Sequence, residues 1–228
     1  MSILHLNTAS CVRSLSVESA CNKCEVVCPT SAIVIGETPL PSINYSLCVG
    51  CGACGGVCPT ESFGLENFSA TDFFFDFLEE EENLISCKKN VPCLAALSVE
   101  HLISLAVLKK EMILDIGHCK GCELTHTCFA QIEQNYEEAT YLLEAMENDA
   151  QIKLEDISYE KTEKTNRRGF LSTINLKTFA KTKQSFENEV ERASDELTEH
   201  TLAKIDIALL KKKKLPEKRK LFYTAIKR

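Results

Sequence analysis

The sequence predicts an α+β chain in three parts: a cysteine-rich module over residues 1–66, a small α/β module with further cysteines over 67–130, and a helical, charged extension over 131–228. Three observations lead there. All thirteen cysteines lie between Cys11 and Cys128, so the last hundred residues are a different kind of element. A three-cysteine unit occurs twice in the first sixty residues, the mark of an internal duplication. The segment after it alternates helix-like and strand-like patterns, and beyond that the chain turns to Glu, Lys, Thr and Leu with apolar residues at three–four spacing.

The totals restrict the chemistry. The start, "MSILHLNTASCVRSL", has no basic region, no long apolar core and no small-residue cleavage site, so a secreted disulfide scaffold is not expected. No stretch approaches the run of about eighteen apolar residues that crosses a bilayer. The expected compartment is a reducing cytoplasm, where clustered cysteines act as metal ligands or redox groups, and an odd total cannot pair completely. The net charge of −7 hides an acidic body and a basic end, with 10 Lys/Arg against 2 Asp/Glu in residues 204–228.

In the first module, "CNKCEVVCPTSAI" (21–33) aligns with "CGACGGVCPTESF" (51–63) at an offset of thirty. Cys48 completes the second copy to the run C-x2-C-x2-C-x3-C-P, "CVGCGACGGVCPT". The same stretch spells G-x-G-x-x-G over residues 50–55. A phosphate loop of this kind follows a strand and opens a helix, whereas here two of its variable positions are cysteines of the repeated metal motif, so a dinucleotide loop is not expected. Small residues between the cysteines let the main chain approach a metal core closely. Zinc is a rival for C-x2-C pairs, although zinc knuckles separate their pairs by longer loops.

These residues resemble the bacterial dicluster ferredoxins, whose C-x2-C-x2-C-x3-C-P run sends its last cysteine to the other [4Fe–4S] cluster. The resemblance implies a ferredoxin-like fold for this module. It also implies that Cys48, Cys51, Cys54 and Cys28 hold one cluster, and that Cys21, Cys24 and Cys58 hold most of the other. The partner expected three residues before Cys21 is Glu18. Cys11, seven residues further back, reaches the empty corner through a longer loop; carboxylate ligation by Glu18 and a three-iron cluster are the alternatives.

In the middle module, "SATDFFFDFLEEEE" predicts a helix capped by Ser69, with Phe73, Phe74, Phe77 and Leu78 on its core face and Glu79–Glu82 as a solvated end. "LISCKKNVPC" then reads as a strand running into a loop, "LSVEHLISLAVLKK" as a helix, and "EMILDIGHCKGC" as a second strand and loop. In a parallel βαβ unit the C-terminal ends of both strands share one edge. Cys87 and Cys93 would there meet Cys119 and Cys122, with Cys128 beyond. Four of these five suit a third Fe–S site, [4Fe–4S] or [2Fe–2S]. Zinc, a Cys119/Cys122 redox pair and inert buried thiols are the alternatives. His118 and His126 are read as ordinary histidines. Residues 91–124 are also loosely similar to the iron–sulfur subunit of hydrogenase and heterodisulfide reductase systems.

The last part offers two stripes: Ile132, Tyr136, Ala139, Leu143 and Met146 in one, and Phe186, Val190, Ala193, Leu197, Leu202, Ile205 and Leu209 in the other. Both are read as core-facing or partner-covering helix surfaces. "NRRGFLST" (166–173) has the letters of a twin-arginine motif but neither an N-terminal position nor a following apolar run, and is read as a loop or helix start. "KKKKLPEKRK" is read as a soluble helix end, with no fold or aromatic platform for nucleic acid beside it.

The function expected from these readings is one-electron transfer, as a carrier or as an electron-transfer subunit of an oxidoreductase complex, with redox proteins as partners. No flavin site, acid–base pair or substrate pocket makes it a complete enzyme. An assembly factor for a redox enzyme and an Fe–S regulatory sensor are the alternatives.

Overall fold

The computed structural model describes residues 4–16, 18–157 and 215–227, a mixture of helices and strands. In the first module the duplication is visible in the backbone. The helices α1 (Val12–Leu15), α2 (Lys23–Val26) and α3 (Ala53–Val57) are single turns, and α2 and α3 each carry the middle cysteine of a repeat, Cys24 and Cys54. After each Cys-Pro-Thr the chain turns through a left-handed residue, Ser31 (φ 52°) and Glu61 (φ 51°). A non-glycine residue at such a φ costs roughly 1–2 kcal/mol. Two copies repeating it at the same place show that the turn is imposed by the structure around it.

Each copy ends in a short antiparallel ribbon. Strand β1 (Leu4–Leu6) lies far ahead of its partner in sequence, whereas β2 (Ile33–Val34) pairs with β3 (Ser42–Ile43) in register Ile33↔Ile43. Strand β4 (Phe63–Leu65) pairs with β1 in register Leu4↔Leu65, so the two ends of the module meet. Buried Leu4, Ile33 and Phe63 supply its small apolar core. So small a core leaves the module dependent on further cross-links.

The chain then enters α4 (Ala70–Glu79), capped as expected: the Ser69 Oγ accepts from the Asp72 N–H at 3.1 Å. Phe73, Phe74 and Phe77 are buried, and so is Phe75, while Leu78 is half-buried. The sheet is parallel, in the order β5 (Leu84–Ile85), β6 (Glu111–Asp115), β7 (Gln151–Glu155). Helix α5 (Val99–Lys109) connects the first two strands, and α6 (Thr125–Ala145) connects the next two. Ser98 caps α5 in a reciprocal box with His101, and every residue from His101 to Val107 is buried. A helix buried all round packs against several elements, and α5 touches α4, α6, the sheet and the last helix, α7 (Glu217–Ile226).

Two findings differ from the sequence reading. The reading expects only helices after residue 130, yet β7 adds a strand that pairs with β6 over five residues. Its residues alternate strictly, Ile152 buried and Leu154 half-buried between exposed Gln151, Lys153 and Glu155. That period-two signal is the local cue for the strand, and the reading passes over it because it spans only five residues in a Glu- and Lys-rich background. The tail reading also changes at Lys218, which is 3% exposed rather than solvated. Its Nζ donates to the Cys58 carbonyl at 2.7 Å and lies 3.8 Å from the Glu100 carboxylate. The Glu61 carboxylate in turn accepts the N–H groups of Glu217 and Lys218 at 2.5 and 3.0 Å, and so caps α7. The second apolar stripe, "NRRGFLST" and the four lysines of 211–214 lie outside the described residues.

Candidate metal centres

Cys28, Cys48, Cys51 and Cys54 line one small cavity. Cys11, Cys21, Cys24 and Cys58 line a second. The last cysteine of each repeat has crossed to the other copy's cavity, and at Cys58 the backbone before proline is extended, leaving the helical turn. Cys11 is buried at the start of α1, and its loop is held by Arg13, which donates to the carbonyls of Cys21 (3.0 Å) and Pro39. Glu18 is exposed and lines neither cavity.

Both crossing sulfurs accept a backbone hydrogen bond. The Ala32 N–H points at the Cys28 sulfur at 3.2 Å and the Ser62 N–H at the Cys58 sulfur at 3.3 Å, the same bond in each copy. The hydroxyls of Thr30 and Thr60 stand 3.8 and 3.7 Å from the same sulfurs. Burial pushes the Cys58 thiol up, but the bonds from Ser62 and Thr60 outweigh it and its pKa lies below the ordinary value. The Thr of each Cys-Pro-Thr is readable in the repeat; the Arg13, Lys218 and Ser62 contacts leave no sequence signal.

Within each quartet the sulfurs repel one another. Burial first, and then Cys21 and Cys58, raise the Cys24 thiol to about 11. Burial, Cys51 and Cys48 raise Cys54 further still. A buried quartet of thiolates is stable only around positive charge. Four thiols per cavity, with no His, Asp or Glu side chain lining either, therefore fit a cysteine-ligated iron–sulfur cubane. Among the described residues no group of three or more His, Cys, Asp or Glu side chains could hold a single metal ion. Thiolates on four iron corners stand farther apart than the roughly 3.8 Å of a tetrahedral zinc–sulfur site, so a cubane does not require such a group.

The G-x-G-x-x-G glycines belong to this architecture. Gly50 (φ 69°) and Gly52 (φ 77°) turn the loop between the cysteines. A Cβ on Gly52 would lie 2.8 Å from the Ala96 Cβ, and one on Gly56 would lie 2.2 Å from the Ala95 carbonyl oxygen. The glycines thus let the first module lie directly on the loop that follows Cys93.

In the α/β module, Cys87 follows β5 and Cys119 follows β6, at the shared C-terminal edge of two parallel strands. The buried Asp115 carboxylate ties the two loops, accepting from Ser86 Oγ at 2.7 Å and from the Gly117 N–H at 2.9 Å. Burial, then Cys87, Cys93 and Cys122, push the Cys119 thiol up to about 12, and burial with Cys93 raises Cys87. The four thiols of Cys87, Cys93, Cys119 and Cys122 therefore lie close enough to act on one another's charge. Cys128 is buried on α6, where Cys51 of the first module and then Cys93 push its thiol well above the ordinary value. Cys128 is in turn the main cause that lowers Cys51 to about 6. His118 and His126 are exposed.

A family model described as a 4Fe-4S dicluster domain matches residues 19–62. One component of the Na(+)-translocating ferredoxin:NAD(+) oxidoreductase complex from Acetobacterium woodii is 50% identical over 36 residues, 16% of this chain and 11% of that protein. This chain therefore spans a small part of the length of that relative. No solved structure matches. The first module carries an iron–sulfur dicluster domain, as its cysteine repeat predicts, and its similarities support iron–sulfur electron transfer. No described helix is long and apolar enough to cross a membrane.

Proposed function

We propose that the chain is an iron–sulfur electron-transfer protein with three centres, acting as a carrier or as a subunit of an oxidoreductase complex. Cys28, Cys48, Cys51 and Cys54 hold one [4Fe–4S] cluster, and Cys11, Cys21, Cys24 and Cys58 hold the second. Cys87, Cys93, Cys119 and Cys122 hold the third. The observation that carries the reading is the sorting of eight cysteines into two four-thiol cavities by exchange of Cys28 and Cys58 between the repeats. The convergence of four more thiols at the sheet edge supports the third. Such clusters accept and release single electrons at potentials between about −700 and +450 mV.

The protein's part is to position and tune. The N–H groups of Ala32 and Ser62 stabilise charge on the crossing sulfurs. Asp115 sets the loops of the third quartet, and Lys218 anchors α7 beside Cys58. Thiolate ligation needs reduced cysteines, which assigns the chain to a reducing compartment such as the cytoplasm. The likeness to a component of an oxidoreductase complex supports redox proteins as its partners.

The test is iron and acid-labile sulfide per chain on anaerobically purified protein, with EPR after dithionite reduction. About twelve irons are expected from three cubanes. Cys119→Ser with Cys122→Ser should remove about four of them. About eight in the parent, unchanged by the double substitution, refutes the third centre, and zinc without sulfide refutes the whole reading.

A further inference from the structure

The two halves of the dicluster module match in their hydrogen bonds and differ in their charge. Each crossing sulfur accepts one backbone N–H, from Ala32 at 3.2 Å and from Ser62 at 3.3 Å, and each has a threonine hydroxyl beside it. Among the described residues, no charged side chain lines the cavity that holds Cys54. The cavity that holds Cys58 is lined by Arg13 and Lys23. At the offset of thirty, Lys23 corresponds to Ala53, so the two copies differ here in charge. Two cations also bind the main chain of the Cys58 quartet. Arg13 donates to the Cys21 carbonyl at 3.0 Å, and Lys218 donates to the Cys58 carbonyl at 2.7 Å. Lys218 is 3% exposed, so water and salt screen its charge little. Of the two carboxylates near it, Glu61 is taken up by the N–H groups of Glu217 and Lys218, and Glu100 stands 3.8 Å from the Nζ. Neither carboxylate lines a cluster cavity.

We propose that the Cys58 quartet holds the more easily reduced of the two clusters, and that Lys218, fixed on the Cys58 carbonyl, is the buried cation that makes it so. The inference rests on the two-cluster reading above and is independent of the third centre. An added electron is a negative charge, so a cation fixed beside one cluster's ligands favours that cluster's reduced form and raises its potential. Matching hydrogen bonds leave charge as the main difference between the two four-cysteine sites. The gradient runs from the Cys54 quartet towards the Cys58 quartet, so an electron entering at either comes to rest beside α7. The cation is supplied from 160 positions further along the chain, outside the residues 19–62 that match the dicluster model. The asymmetry is therefore a property of this chain's own helix and not of the cysteine repeat.

The experiment compares the full-length, anaerobically purified parent with Lys218→Met, Lys218→Arg and Glu100→Gln, measuring iron and sulfide per chain and EPR-monitored potentiometry. The signal altered or lost in Cys11→Ser belongs to the Cys58 quartet, and the one altered or lost in Cys48→Ser to the Cys54 quartet. In the parent the Cys58 signal should have the higher midpoint of these two. Lys218→Met should lower it by about tenfold in the one-electron equilibrium constant, about 59 mV, and leave the Cys54 signal within about threefold. Lys218→Arg keeps the charge and should keep the midpoint. Glu100→Gln leaves the cation uncompensated and should raise it, an opposite shift that a loss of packing would not produce. Full iron with the Cys54 signal at the higher midpoint overturns the asymmetry, and an unshifted midpoint in Lys218→Met overturns the role of Lys218. Should Lys218→Met lose its iron, Glu100→Gln decides: a raised midpoint supports the proposal, and an unshifted or lowered one overturns it. Zinc without sulfide in the parent refutes the two-cluster reading itself, and the inference with it.

Discussion

Substituting Gly56 by alanine sets two effects of opposite sign against each other. Gly56 lies inside α3, where alanine should gain about 0.5–1 kcal/mol from backbone propensity alone. The added methyl, however, would sit 2.2 Å from the Ala95 oxygen, 3.0 Å from the Ala96 carbonyl carbon and 3.1 Å from its oxygen. All three are backbone atoms, so no side chain can rotate away, and the modules must separate by roughly an ångström. Overpacking of this kind costs about 1–3 kcal/mol, and the contact with Ala95 places Gly56→Ala at the upper end. The net expectation is a loss of about 2 kcal/mol after the propensity gain. The separation also opens the junction where Cys51, Cys93 and Cys128 meet, so the third centre should lose iron faster under chelator challenge. The assay is anaerobic denaturant unfolding of the reconstituted protein, with Gly36→Ala as control. Gly36 is exposed and its new Cβ would meet nothing within 4 Å, so the control should stay within about 0.5 kcal/mol of the parent. A Gly56→Ala protein that is more stable than the parent would mean that propensity prevails and that the two modules do not abut as described.

The other predictions concern single contacts. His101 is buried, and burial first, then Lys218, lower its pKa from 6.5 to about 4. The unfolded chain therefore binds the extra proton between those values, and His101 contributes stability that is present above pH 6.5 and lost as pH falls towards 4. Unfolding followed from about pH 7 to about pH 5 should show a smaller pH dependence in His101→Gln than in the parent; an equal slope would refute the assignment. Replacing Asp115 by alanine strands the Ser86 hydroxyl and the Gly117 N–H, and should cost about 1–3 kcal/mol. It should also release the third centre's iron while about eight irons remain, and loss of all iron together would argue against independent centres. Lys218→Met leaves the Glu100 carboxylate without its buried cation and the Cys58 carbonyl without its donor. Discounted for the 26% exposure of Glu100, the cost should be about 1–3 kcal/mol by chemical denaturation. An unchanged midpoint would show that α7 does not dock on the dicluster module.

Where a signal is local or repeated, it is legible in the chain alone. Cysteine spacing, the offset of thirty and the Cys-Pro-Thr endings announce the dicluster module. Ser69 announces the start of α4 through its cap, and two apolar runs flanking a helix announce the parallel pair β5 and β6. Each is written within a few residues, where side-chain period and hydrogen-bonding chemistry act directly. Tertiary packing settles what depends on elements distant along the chain. It brings Cys11 rather than Glu18 to the second cavity, because the loop held by Arg13 folds inward there. It pairs residues 151–155 with β6, since five alternating residues make a stable strand only against a neighbour. It buries Lys218, part of a lysine-rich stretch read as a solvated helix end, because Cys58 and Glu100 meet it from two other elements. It also brings Cys128 close enough to Cys51 and Cys93, residues 77 and 35 positions away, to act on both thiols, a proximity that exists only once the glycine loop and α6 have closed on the same region.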